Sequence, residues 1–153
     1  MIKFFILRGF SLIMAQEKSC GAVVFKRQKD NSIKYLLLHY GNDHWEFAKG
    51  HMEKNEKEEQ TALRELKEET GIEDAEILDN FREIVKYFFK KVEETIYKEV
   101  VFFLAETHTD EVTLSNEHIG YAWLNYEHAH KKLTFNNSKE LLEKAEKFLH
   151  HRN

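Results

Sequence analysis

A chain of 153 residues with a hydrophobic share of 42% and 13% aromatics has the size and composition of one globular domain, which excludes two linked cores and a disordered segment. Its formal net charge of -4 and sequence pI near 6.1 exclude bulk attraction to nucleic acid, so any polyphosphate must be held by local cations or metal ions. Cys20 is the only cysteine, which excludes an intrachain disulfide and suits a reducing compartment, the cytoplasm.

The N-terminal MIKFFILRGFSLIMAQ is apolar, but Arg8 and Gly9 interrupt it well short of the roughly 20 residues that cross a bilayer, so no membrane partner is expected. Residues 1–16 read as an extension, either an extra strand or a stretch ahead of a start at Met14, and residues 17–153 as the folded domain. SCGAVVFKR (19–27) and IKYLLLHY (33–40) are rich in β-branched, aromatic and aliphatic residues and flank the turn-like KDNS, which predicts a hairpin with Cys20 as a small buried hydrophobe. GNDHWEFAKGH (41–51) predicts a loop bounded by Gly41 and Gly50.

Asn55 with Glu58 three residues later predicts a capping box, and Gly71 stands where a helix ends in a left-handed residue, so a helix is expected over 56–70. Residues 75–91 and 95–107 predict two long strands joined by Val92-Glu93-Glu94, followed by a short strand over 121–124. Helices are expected over 126–133 and 138–150, the latter with Leu141, Leu142, Ala145, Phe148 and Leu149 on one face. Strands, a central helix, more strands and a final helix predict an α+β domain with helices packed on a mixed sheet.

Within the central helix, RELKEETG puts Glu65, Glu68 and Glu69 on an arc of about 100°, expected to face outward from Leu63 and Leu66. Like charges at such spacings cost roughly 0.2–0.5 kcal/mol per pair, which one divalent cation would reverse many times over. On that pattern alone a solvated acidic face is the simpler explanation. The surrounding spacing decides otherwise. From Gly50 the chain reads GHMEKNEKEEQTALRELKEETGI, or G-x5-E-x7-R-E-U-x-E-E-x-G-U with U apolar. With 22 Glu, 6 Gly and 5 Arg in the chain, matching the charged and glycine positions by chance is on the order of 10⁻⁸ per start point.

This pattern resembles the Nudix box. The resemblance implies the Nudix fold, a mixed sheet between helices, and a hydrolase in which Glu65, Glu68, Glu69 and the Gly50 carbonyl hold magnesium or manganese ions while water attacks a phosphorus in line. Arg64 is expected to hold Glu68 at i,i+4, Glu56 to support the loop, and Gly71 to end the helix without strain. HWEFAKGH just ahead resembles the WxxPKGH signature of asymmetric diadenosine tetraphosphate hydrolases of the animal and archaeal type, with Ala48 where proline usually stands. REIVKYFFKK, FFLAE, LSNEHIGYAWL and LTFNNSKELL have counterparts there in the same order.

That likeness implies a small-molecule dinucleoside polyphosphate as substrate, with Lys49, His51 and Lys98 on the phosphates and Tyr87 and Phe135 stacking one adenine. Glu117 matches a loop acid that serves as metal ligand or general base, with Glu65 as the alternative base. Glu65, Glu69, Glu117 and Arg64 are thus the catalytic candidates, and a monomer is expected, with a dimer as the alternative. His128 and His130 lack a third ligand at zinc spacing and read as surface residues, and Trp45 and Trp123 as packing. The competing activities are removal of pyrophosphate from RNA 5′ ends and hydrolysis of nucleoside triphosphates. A non-catalytic sensor is disfavoured because every glutamate of the box is present.

Overall fold

Residues 22–25, 35–38 and 100–105 are apolar on consecutive positions rather than alternate ones, the pattern of strands buried on both faces. The computed structural model, which describes residues 2–7, 10–91 and 94–152, bears this out. Its strands are β1 (Ile2–Leu7), β2 (Phe10–Arg27), β3 (Ile33–Tyr40), β4 (Trp45–Glu46), β5 (Ala48–His51), β6 (Glu76–Lys91), β7 (Glu94–Glu106) and β8 (His118–Leu124). Its helices are α1 (Glu58–Thr70), α2 (Tyr126–Lys132) and α3 (Asn136–His150). The strands form one sheet of order β4-β3-β2-β7-β6, with β1 and β5 also on β2 and β8 on β3. The sheet is mixed because β2 and β7 run parallel while the other pairs are antiparallel.

Alternate residues of the central strands feed opposite layers. Val23, Phe25, Tyr35, Leu37, Val100, Phe102 and Leu104 pack with Ala129, Leu133, Leu141, Leu142, Ala145 and Leu149 of the α2–α3 side. Ala22, Val24, Leu36, Leu38 and Ala105 pack with Leu66 of α1 on the other side. Burying each large aliphatic or aromatic side chain contributes about 1.5–3 kcal/mol, so both helical layers are held by the same strands. The result is a mixed sheet with helices on both faces, the α/β/α arrangement that the family resemblance implies. Cys20 is fully buried against Ala62, Val101 and Phe103, and burial raises its thiol to about 11.

The expected hairpin is present, with Phe25 opposite Tyr35 and Arg27 opposite Ile33. Several boundaries differ. The segment expected as a loop holds β4 and β5, because Ala48–His51 satisfies backbone groups along β2, Cys20 lying opposite Gly50. The central helix begins at Glu58, not at residue 56, and Lys57 is the N-cap, with its backbone N–H donating to Gln60 Oε1 at 2.8 Å. Asn55 is left-handed at φ 65°, and Glu58 is occupied by Lys18 and Arg82 at 2.8 Å each, so neither serves the expected cap. Gly71 ends the helix at φ 76° as expected.

β8 starts at His118, three residues before the expected strand, since His118 and Gly120 pair with Tyr40 and His39. α3 starts two residues early, at Asn136. Val92 and Glu93 of the expected turn lie outside the described residues. β2 continues through residue 17, pairing with β1 from Phe10 to Ala15 and with β7 from Met14 onward.

Candidate active site

β5 lies against α1, and Gly50 is the point of closest approach. A Cβ at position 50 would overlap the Glu65 carboxyl group, so only glycine lets that acid rest on the β5 backbone. Arg64, next on the helix, ties the loop to the acids. Its Nε donates to Glu56 Oε2 at 2.6 Å, its Nη2 to His51 O at 2.9 Å, and its Nη1 to Glu65 Oε1 at 2.9 Å and Glu68 Oε2 at 3.2 Å. Glu56 also accepts from Thr61 Oγ1 at 2.6 Å and Glu53 N at 3.1 Å, and these donors, Arg64 first, hold its carboxyl down at about 2. Glu56 therefore supports the loop, as expected.

The three box acids do not all face outward. Glu68 is exposed and Glu65 half-buried, but Glu69 is only 3% exposed. The arc turns past the solvent face at its last member because β3 and the loop ahead of β8 cover it: Tyr40 and His118 pack edge to face at 4.3 Å between ring centroids, and His118 Nε2 lies 3.4 Å from Glu69 Oε2. Of the two leucines, Leu66 is fully buried and Leu63 only half-buried. Burial first, and then the charge of Glu65, push Glu69 up to about 9; Lys49 opposes the rise and Glu117 adds to it. Burial lowers the pKa of His118 and favours its neutral form, so this contact is no ion pair, and neither atom has a hydrogen-bonding partner.

Beside the acids opens a cavity of about 330 Å³ lined by Tyr40, Asn42, His44, Glu46, Lys49, Tyr87, Lys98 and Phe135. Four of the five substrate residues expected from the sequence thus meet. Tyr87 and Lys98 face each other across β6 and β7, and burial raises the Tyr87 hydroxyl to about 12. Phe135, 39% exposed, is the N-cap of α3 and packs edge to face on His44 at 4.8 Å. Its segment is docked on β4: Trp45 N donates to Thr134 Oγ1 at 2.8 Å, Thr134 N to Trp45 O at 3.2 Å, and Ser138 Oγ to the buried Glu46. Lys49 Nζ reaches Glu46 Oε2 at 3.8 Å and lies 5.3 Å from the Tyr40 ring centre.

His51 does not line the cavity; its side chain is exposed and its carbonyl is what Arg64 uses. Glu117 is exposed on the loop before β8, near enough for its charge to act on Glu69. Among the described residues, no three His, Cys, Asp or Glu side chains converge as a ready cation cage, and Arg64 Nη1 stands between Glu65 and Glu68. The donors nevertheless suit a hard divalent cation. They are carboxylate and carbonyl oxygens, Glu65 sits in a cradle only glycine permits, and the Glu69 carboxyl is buried beside other negative charge.

The NUDIX domain family matches residues 8–145. The chain belongs to this family. It is 37% identical over 143 residues to the mouse bis(5′-nucleosyl)-tetraphosphatase [asymmetrical], covering 86% of this chain and 95% of that protein. A crystal structure of a Caenorhabditis elegans Ap4A hydrolase binary complex superposes with a TM-score of 0.78 at 32% identity, covering 89% of this chain and 99% of that one. An RNA pyrophosphohydrolase of Nitratiruptor is 33% identical over 79 residues, half of each chain (50% and 51%). Nudix hydrolases use divalent metal ions, which agrees with the oxygen donors around Glu69.

Sequence reasoning about this Nudix domain missed Glu46, Ser138, Thr134, His118 and Ser115. A single Glu or His in a strand carries no periodic signal, and Thr134 and Ser138 matter only because α3 docks on β4. Trp45 stacks on His39 at 4.4 Å and Trp123 donates to Asp110 O at 3.0 Å, so both serve packing. His128 is exposed and His130 pairs with Glu143 at 2.8 Å, as expected of surface histidines. Among the described residues, no helix is long and apolar enough to cross a membrane.

Proposed function

We propose that this protein is a cytoplasmic, metal-dependent hydrolase that cleaves diadenosine tetraphosphate asymmetrically, one water yielding ATP and AMP. The observation that carries this reading is the cavity of Lys49, Tyr87, Lys98 and Phe135 beside the acid cluster, a base clamp next to a cation site. The names of the mouse and nematode relatives support the same substrate class.

In this reading Tyr87 and Phe135 stack one adenine, a contact worth around 0.5–1.5 kcal/mol beyond the area buried. Lys49 and Lys98 line the same cavity and hold the phosphates that follow, with His51 reaching them from the loop end. The Gly50 carbonyl, Glu65, Glu68 and Glu69 would hold the cation. Bound there, magnesium or manganese supplies charge neutralisation for the tetraphosphate and Lewis-acid activation of water. Arg64 keeps Glu65 and Glu68 in position, and Glu65 or Glu117 takes the proton as water oxygen bonds to phosphorus and the bridging P–O bond breaks. The net charge of -4 argues against a nucleic-acid substrate.

The test is to incubate the protein with magnesium and diadenosine tetraphosphate and resolve the products. ATP and AMP in equal amounts are expected. Two ADP would refute the asymmetric cut, and no turnover while 5′-triphosphorylated RNA is consumed would replace this reading with RNA pyrophosphohydrolase activity.

A further inference from the structure

The loop leading into β8 closes over the C-terminal end of α1. Thr113 N donates to Thr70 O at 2.8 Å and Ser115 N to Glu69 O at 3.3 Å, so its backbone is tied to the helix. It delivers His118 to the interior, where the side chain is 0% exposed and Nε2 lies 3.4 Å from Glu69 Oε2. Neither of these buried atoms has a hydrogen-bonding partner, a costly condition unless the pair serves a purpose. Across the ring, Nδ1 lies 3.0 Å from Ser115 Oγ. A neutral imidazole has one N–H and one lone pair. With the Ser115 hydroxyl donating to Nδ1, the ring proton sits on Nε2, the nitrogen that lies 3.4 Å from Glu69 Oε2.

We propose that His118 is a positioning residue for the acid cluster: its Nε2–H, with the tautomer set by Ser115, holds the inner oxygen of Glu69 and turns the outer oxygen toward Glu65 and the divalent cation. Glu117 precedes His118 on the same anchored loop, so one docking event orients Glu69 and brings the loop acid to the same end of α1. The inference rests on the proposed role of Glu69 as a cation ligand. It assigns His118 no contact with substrate. Histidine and carboxylate groups behind metal ligands fix ligand orientation in this way, and their loss weakens metal binding typically 10–100-fold.

The test compares His118→Phe, which keeps a ring against Tyr40 but removes both nitrogens, with His118→Gln, which keeps an amide N–H near the Nε2 position. Mn²⁺ binding to the substrate-free protein is followed by electron paramagnetic resonance of the free ion. His118→Phe is expected to bind Mn²⁺ about 10–100-fold more weakly, His118→Gln within roughly threefold of the wild type, and Ser115→Ala in between. The Mn²⁺ concentration for half-maximal turnover should shift in parallel, with KM for the dinucleotide at saturating Mn²⁺ unchanged. Wild-type affinity in His118→Phe, or equal loss in His118→Phe and His118→Gln, would overturn the proposal. Should His118→Phe fail to fold, unchanged Mn²⁺ affinity in Ser115→Ala and unmoved half-activation would do the same. A wild-type protein that binds no Mn²⁺ sinks the proposed function as well, whereas wild-type binding with indifferent variants sinks this inference alone.

Discussion

The start and the end of α1 carry the same residue type in opposite electrostatic conditions. Ahead of the helix and in its first turn, Glu56 and Glu58 are met by Arg64, Thr61, Arg82 and Lys18, and both carboxyls are held at about 2. In the last turn Glu69 is buried without a cationic partner within hydrogen-bonding range, and its carboxyl rises to about 9. The first pair is satisfied within the chain and needs nothing further. The second is a buried acid whose charged form the protein alone does not stabilise, the condition that the proposed cation site requires.

The comparison is broken most directly at Glu69. Glu69→Gln should lower kcat by at least ~10²-fold, since it removes the proposed cation ligand, while thermal stability in cation-free buffer at alkaline pH holds or rises. Steady-state hydrolysis and thermal unfolding check both halves, and a turnover loss explained by unfolding would contradict it. Gly50→Ala comes next. Its Cβ would displace the Glu65 carboxyl, so a drop in turnover on the order of 10–100-fold is expected with far-ultraviolet circular dichroism unchanged. Wild-type kinetics in that variant would mean that Glu65 need not rest on β5.

A pH sweep of cation-free stability separates the two ends of the helix. Glu56 and Glu58, depressed from 4.5 to about 2, contribute stability that is present above 4.5 and lost as pH falls toward 2. Glu69, raised from 4.5 to about 9, keeps its proton in the folded state where the unfolded chain has lost it, so its contribution falls as pH rises from 4.5 to 9. Denaturant unfolding at stepped pH should show both slopes, with the alkaline one abolished by Glu69→Gln and reduced by manganese. The smallest effect is expected from Glu56→Gln, which removes the anchor of Arg64: the thermal midpoint falls by roughly a few degrees and stability changes more than turnover. If turnover falls as far as in Glu69→Gln, the division between the two ends is wrong.

Local spacing made much of this legible. Glu65, Glu68 and Glu69 share one side of the helix because α-helical geometry fixes neighbours three and four apart, and Gly71 marks the helix end because a left-handed residue is needed there. The hairpin and the long β6–β7 pair followed from runs of strand-forming residues around turn signals. Asn55 and Glu58 misled because side chains that can cap were drawn elsewhere: Glu58 to Lys18 and Arg82, and Asn55 into a left-handed turn. β4 and β5 were hidden in a polar loop because two- to four-residue strands are set by the edge they pair with rather than by their own composition.

The sequence by itself determined the family, through a spacing of glycines, arginine and glutamates that local geometry alone makes meaningful, and with it the oxygen chemistry of the acids. Only the tertiary structure decided which glutamate is starved of charge and which aromatic rings meet. Glu69 is buried because a loop more than forty residues later folds over it, and Phe135 reaches the cavity of Tyr87 because β4 and α3 dock across the chain. Burial depends on what remote segments cover, and no periodicity within a helix or strand carries that information.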